Sequence, residues 1–380
     1  MPPLKTTVIE PSGLLYGSEY CLLDILDGLP RESFSFDIVM PRGGGFDQLL
    51  ISRGMEIHDL LPRYLHRISR WGKAGVYWRL FRFLRKRRPD LIYLNQAGLL
   101  RAVSAIARLL RIPVVCQVQT LEDSRGISHQ HGLQKPVRAF ICNSEFIACQ
   151  TQVPGIKKCT LYQGMSQSAR DLNFPAKRDI DDRRSFTVGI LGRIALSKGH
   201  YLLLDAAALL CQRIPACRFV VIGAGLTSED TNAFELAVER AGLTPRFEMR
   251  GYRSQLREEL SRVDVLAIPS LAEPLGRVLF DAANFGVPVV VSDAGGLGEV
   301  CRRFSIGVPF QSGDANALAI SLEYVALNYS AVLESFRSAS QKMQDSLSMK
   351  SYIGVIRRIL ERAALGDTTS MTWLGEPARK

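Results

Sequence analysis

Two carboxylates, Glu273 and Asp281, stand eight positions apart in the otherwise apolar stretch "EPLGRVLFDAANFGVPVV". The stretch follows a strand-like run, so Glu273 falls in a loop and Asp281 more than one turn into a helix. A carboxylate in the second position can accept two hydrogen bonds from a vicinal diol such as that of a ribose. Glu273 is placed to hold sugar hydroxyls. Gly276 and Arg277 offer backbone N–H groups at the helix start, and Leu275 beside them is counted with the same site. The plainer alternative is a pair of surface acids on an amphipathic helix.

A second constellation lies in "GILGRIALSKGHYLLLDAAALL". Gly192 and Arg193 follow a strand, and Lys198 and Gly199 come as a helix begins, with Ser197 as its expected cap. Two cations beside a helix N-terminus suit a diphosphate, Arg through paired donors and Lys as a point charge. "VIGAG" adds Gly223 and Gly225 at another strand end, and "SDAGGLGEV" adds Gly295 and Gly296. Repeated glycines at strand ends suggest a floor where backbone must come close to a ligand. After the first strand, "GLLYGSEYCLLDIL" has Gly13 and Gly17 around a turn and Ser18 and Glu19 opening a helix, a place that favours an anion. It lacks the Gly-x-Gly-x-x-Gly dinucleotide fingerprint.

These loops need strands and helices to hold them. In the first half the strand signals are Thr6 to Glu10, Phe36 to Val39, Asp90 to Asn95, Pro113 to Val118 and Ala139 to Asn143. Helix signals alternate with them, except that a loop is expected after Val118. In the second half "FTVGILG", "CRFVVIG", "DVLAIPS" and "VPVVVSD" are strands. Such alternation argues parallel sheets with helices on both faces. The fold class is therefore α/β, two doubly wound Rossmann-like domains facing across a cleft. We expect an N-terminal domain over 1–167, a linker over 168–184 and a C-terminal domain over 185–348. A helix over 349–365 should pack back on the N-terminal domain, ahead of a loose tail over 366–380. Ligands of doubly wound sheets bind at the carboxyl ends of strands, where all these motifs fall.

The chain has 380 residues, 47% hydrophobic and 22% charged, which fits two ordinary folded cores better than one. No run is long and apolar enough to span a bilayer, and "MPPLKTTVIEPSG" lacks a signal-peptide layout, so a cytoplasmic location is expected. The eight cysteines form no Cys-x-x-Cys pair and read as buried thiols. "HQH" at His129 to His131 has no acid or Cys at ligand spacing, and no metal is expected. The net charge of +11 implies an anionic partner. Ten Lys and Arg lie between Arg63 and Arg88, among Trp71, Tyr77, Trp78, Phe81 and Phe83. On a helix, Val76, Leu80, Phe81 and Leu84 share one face and Arg79, Arg82 and Lys86 the other. That face is either a solvated basic surface or one that docks on anionic lipid headgroups.

The motifs "YGSE", "NSEFIA", "GRIALSKG", "PSLAEPLGRVLFDAA" and "DAGGLGEV", in that order, resemble those of the retaining nucleotide-sugar glycosyltransferases of family four, with the GT-B fold. The resemblance covers about residues 6 to 365. It implies that Arg193 and Lys198 bind the donor diphosphate, that Glu273 faces the donor sugar and that Asp281 holds the ribose. Gly17, Gly192, Gly223, Gly225, Leu275, Gly276 and Arg277 complete the implied donor site, with Glu273, Arg193 and Lys198 the implied catalytic residues. Two positions depart from the pattern. Asp281 stands where the family usually has a second Glu, and Gln119 stands where a His is common, with Glu122 beyond it on the acceptor side. The family's usual mechanism needs no protein nucleophile, no cofactor and no metal, since charge stabilisation of the leaving diphosphate carries it.

The expected function is retaining transfer of a sugar from a nucleotide-diphosphate sugar to a glycan or lipid-linked acceptor, at an anionic membrane surface on the cytoplasmic side. A nucleotide-sugar epimerase of the same fold and a non-catalytic basic binding module are the alternatives. No recognised nucleic-acid motif is present.

Overall fold

The computed structural model describes residues 2–63, 67–128, 135–153, 158–165, 186–253 and 255–366. The expected linker over 168–184, His129 to His131 and the tail beyond Gly366 lie outside the described residues. The chain divides into two compact units: the first comprises residues up to Gly164 and those from Met349 on, the second Met165–Ser348.

The first unit runs β1 (Leu4–Ile9), α1 (Gly17–Gly28), β2 (Phe34–Val39), α2 (Phe46–Ile51), β3 (Glu56–His58), α3 (Arg70–Arg87), β4 (Leu91–Leu94), α4 (Leu100–Leu110), β5 (Val114–Val118), α5 (Leu121–Ser128), β6 (Val137–Cys142), α6 (Glu145–Gln150) and β7 (Lys158–Thr160). Its sheet is parallel in the order β3-β2-β1-β4-β5-β6-β7. The order reverses between β1 and β4, which makes that crevice the switch point. Every residue of β4 and β5 is buried, as expected of strands covered on both faces.

The second unit runs β8 (Thr187–Leu191), α7 (His200–Arg213), β9 (Arg218–Ile222), α8 (Ser228–Arg240), β10 (Phe247–Gly251), α9 (Leu256–Leu260), β11 (Val265–Ile268), α10 (Arg277–Phe285), β12 (Val289–Ser292), α11 (Gly295–Phe304), β13 (Val308–Phe310), α12 (Ala315–Leu327) and α13 (Tyr329–Ser346). Its parallel sheet has the order β10-β9-β8-β11-β12-β13, with the switch between β8 and β11.

The last described helix, α14 (Met349–Ala364), belongs to the first unit. Its apolar face, Tyr352, Ile353, Ile356, Ile359, Leu360 and Ala363, is buried in the same cluster as Leu22, Ile25 and Leu26 of α1. Close approach is made by glycines. A Cβ on Gly28 would stand 2.6 Å from Ile353 Cγ1, and one on Gly164 would stand 2.7 Å from Tyr352 Cβ.

Two expectations need correction. The residues after β5 form the helix α5 rather than a loop, because Asp123 accepts hydrogen bonds from the N–H groups of Gln119 and Thr120 and so closes its first turn. Four strands, β3, β7, β10 and β13, went unread, and all four are sheet edges.

Candidate functional site

At the carboxyl ends of the second sheet the backbone is drawn close. Gly192 follows β8 with φ +137° and Gly223 follows β9 with φ +145°. A Cβ on Gly223 would stand 1.9 Å from the Gly192 carbonyl oxygen, so no other residue fits that crossing. Gly192 N–H donates to Ile222 O (2.9 Å) and Gly223 N–H to Gly251 O (2.8 Å), which ties three strand ends together. Gly225 N–H donates to Thr231 Oγ1 at 2.8 Å, seating that turn on α8.

The loops after β8 and β11 also meet. Gly199, with φ +77°, is the N-cap of α7, and a Cβ there would lie 2.0 Å from the Pro269 carbonyl oxygen. Ser197, expected as the cap, lies instead in a short 3-10 turn over Leu196–Lys198, and its carbonyl accepts from Leu271 N–H at 2.9 Å. The Glu273 loop in turn rests on the start of α11, where Gly296 N–H donates to Glu273 O at 2.8 Å.

These contacts bring two expected site residues together. Lys198 Nζ lies 2.6 Å from Glu273 Oε2, with the carboxylate only 13% exposed. Arg193 is exposed and, among the described residues, forms no side-chain hydrogen bond or ion pair. Arg277 and Asp281, four apart on α10 and both half-buried, share a helix face below the Gly276 N-cap. Leu275 is buried at 5% exposure. A paired lysine, an exposed arginine and a helix start after the strand ends are groups suited to an anionic ligand.

One residue in this region was missed. His200, the first residue of α7, is wholly buried with its ring edge-on to Phe234, centroids 5.7 Å apart. Burial pushes its pKa down to about 4, and the charge of Lys198 acts in the same direction. The only available signal was its place directly after "SKG".

Gly17 lies in the first unit, as the exposed first residue of α1. There Glu19 already fills the helix start, accepting from Tyr16 N–H (3.0 Å), Ser18 Oγ (2.8 Å), Gln96 Nε2 (3.2 Å) and Ser12 Oγ. Glu10, which the sequence reading did not single out, directly follows β1 and is wholly buried. It accepts from Ser12 N–H at 2.8 Å and Asn95 Nδ2 at 2.5 Å. Burial first, and then the charge of Glu19, push Glu10 up to about 7.

Gln119 is buried, and its Nε2 donates to Asn95 O and Oδ1 at 3.1 and 3.2 Å. Asn143 Nδ2 donates to the Gln119 carbonyl at 3.1 Å, so this residue joins the ends of β4, β5 and β6. Glu122 is exposed on α5.

On α3, Val76, Leu80 and Leu84 are buried, Phe81 is half-buried and stacks on Trp78, and Trp71 and Trp78 are 88% and 58% exposed. The helix contains no acid. Arg87, in its last turn, reaches Glu56 Oε1 at 2.7 Å, His58 Nε2 at 3.3 Å and Asp37 Oδ1 at 3.5 Å. Asp37, Glu56 and His58 bring ligand atoms within 4.8 Å of one another, but the Arg87 guanidinium lies against all three. No described helix is long and apolar enough to cross a membrane.

Two Rossmann-like parallel sheets, the second with glycines and cations at its carboxyl ends, are the parts of a GT-B fold. The family described as "Glycosyl transferases group 1" matches residues 174–343, and that described as "Glycosyl transferase 4-like domain" matches residues 16–149. The chain belongs to the GT4-like glycosyltransferases with the GT-B fold. It is 24% identical over 312 residues to glycogen synthase of Mycobacterium tuberculosis, covering 78% of this chain and 74% of that one. It is 28% identical over 202 residues to the lipopolysaccharide core biosynthesis glycosyltransferase LpsE of Rhizobium meliloti, covering 50% and 57%. The crystal structure of Anabaena HepE in complex with UDP and glucose superposes with a TM-score of 0.80 at 20% identity, covering 94% of this chain and 99% of that one.

Proposed function

We propose that the protein is a retaining glycosyltransferase that takes a sugar from a nucleoside-diphosphate sugar, with uridine diphosphate as the favoured carrier. The acceptor is a glycan or a lipid-linked glycan at an anionic membrane face. The observation that carries this reading is the Lys198–Glu273 pair at 2.6 Å, with the exposed Arg193 in the same segment between β8 and α7, on a backbone held close by Gly192, Gly199 and Gly223. The HepE complex with UDP and glucose supports the donor class, and the likeness to LpsE supports the acceptor class.

In this reading Arg193 and Lys198 neutralise the diphosphate as it leaves, and Asp281 holds the ribose. Glu273 binds sugar hydroxyls while keeping Lys198 in place. The diphosphate oxygen takes the acceptor proton as the new bond forms on the same face of the sugar. The protein supplies position and preorganised charge, and no metal or cofactor enters. The exposed basic side of α3 supports the membrane location, since Trp71 and Trp78 stand open beside it.

The test is transfer from a panel of nucleotide sugars, with the anomer of the product read by NMR. Arg193→Ala and Lys198→Ala should each raise the barrier by about 2–4 kcal/mol with the fold retained. Near-normal turnover in either variant, or an inverted product, would overturn the assignment.

A further inference from the structure

Cys211 and Cys217 bracket the turn between α7 and β9. Cys211 lies near the end of α7 and is partly exposed, whereas Cys217 immediately precedes β9 and is wholly buried. Their sulfurs stand 3.3 Å apart, one thiol donating to the other. The turn between them is fixed. Ile214 N–H donates to Leu210 O at 2.7 Å and Cys217 N–H to Ile214 O at 3.0 Å, with Pro215 stiffening the middle. A disulfide bond is about 2.05 Å long, so the sulfurs need approach by only about 1.3 Å, within reach of side-chain rotation.

We propose that Cys211 and Cys217 are a redox pair, which an oxidant disulfide converts into an intramolecular disulfide fastening the end of α7 to the start of β9. The two thiols differ in access, and this sets the order of events. Burial pushes the Cys217 thiol up to about 12, the adjacent Cys211 sulfur adds to the shift and Arg246 opposes it, so the partly exposed Cys211 reacts first. Its thiolate attacks one sulfur of the oxidant, forming a mixed disulfide and releasing one thiolate. Cys217 then gives up its proton and attacks the Cys211 sulfur, expelling the second thiolate. Two electrons pass from the pair to the oxidant, and the two thiol protons end on the released thiols. The other end of α7 starts at Gly199, next to Lys198, so the staple holds the far end of the helix that borders the cationic loop.

The test uses the purified full chain and oxidised glutathione, followed by alkylation in denaturant and peptide mass mapping. The expected product joins the peptides carrying Cys211 and Cys217, about 2 Da below the sum of the reduced forms, and is reversed by dithiothreitol. Cys149 is exposed and serves as the internal control, since it should accumulate a glutathione adduct. Cys211→Ser should leave Cys217 reduced and unlinked. If Cys149 reacts while Cys211 and Cys217 stay reduced, or carry glutathione without joining, the proposal is overturned. A link from either one to another cysteine overturns it as well.

Discussion

Lys198 and Glu273 are 75 positions apart and meet at 2.6 Å. Residue type and neighbouring glycines made each legible separately, because a cation or an acid after a strand end points at a ligand. Their pairing was not legible, since it depends on how the Gly199 loop lies under the Pro269 carbonyl. Glu10 was missed for a related reason: within "TTVIEPSG" it reads as the polar end of a strand, and only the fold brings Glu19 beside it. Its titration gives a signed prediction. The folded pKa of about 7 lies above the ordinary 4.5, so its contribution to stability is complete below about pH 4.5 and is lost as pH rises through 7. Glu10→Gln has no such loss. The stability of the variant relative to the natural protein should therefore grow between pH 4.5 and 7 and level off above, by on the order of 2–3 kcal/mol. Urea unfolding at pH 5 and pH 8 reads it; a gap that stays constant with pH would exclude a buried, protonated Glu10.

Helix α14 carries the clearest energetic prediction among the secondary-structure elements. Ile356 is fully buried within the first unit's core, and Ile356→Ala should cost about 2–5 kcal/mol. Tryptophan-independent probes such as amide exchange on β4 and β5 should report the loss there, and unchanged protection would show that α14 is dispensable. The nine strands read from sequence are central ones carrying apolar runs such as "VVCQV" and "LIYL". The four unread strands are short or sparsely buried: β3 is "EIH", β7 "KCT", β13 "VPF", and β10 "FEMRG" has no fully buried residue. An edge strand is covered on fewer sides, so its sequence need not be apolar, and pairing with a neighbour alone defines it. The α5 helix was hidden because its first turn is closed by Asp123, an acid that reads as polar loop until its N–H donors are seen.

Charge belongs to the molecule in full. The excess of +11 is concentrated on α3, whose exposed Arg79, Arg82 and Lys86 accompany Trp71 and Trp78. Part of the basic end has a structural task, since Arg87 is held by Glu56 and Asp37 and cations in a last turn also stabilise the helix. The remaining cations are free to meet a surface, at about 1 kcal/mol each near anionic lipid. The protein should therefore sediment with anionic vesicles at low salt and not with neutral ones. Release should come as the screening length drops below about 10 Å, near 0.1 M salt. Replacing Arg79, Arg82 and Lys86 by Glu should abolish sedimentation and spare nucleotide binding. Failure to bind anionic vesicles at low salt would leave a soluble glycan as the acceptor.

The placement of α14 also has a consequence for synthesis. The second unit is one continuous stretch, Met165–Ser348, whereas the first is interrupted by it. On a ribosome adding roughly 5–20 residues per second, the early residues must wait through the making of the entire later unit before their last helix arrives. During that interval Leu22, Ile25 and Leu26 lack their covering from Ile353, Ile356 and Leu360. The half-built first unit is thus the stage at which a chaperone would be needed, and a stop codon just before Met349 would remove a wall of its core while leaving the second unit whole.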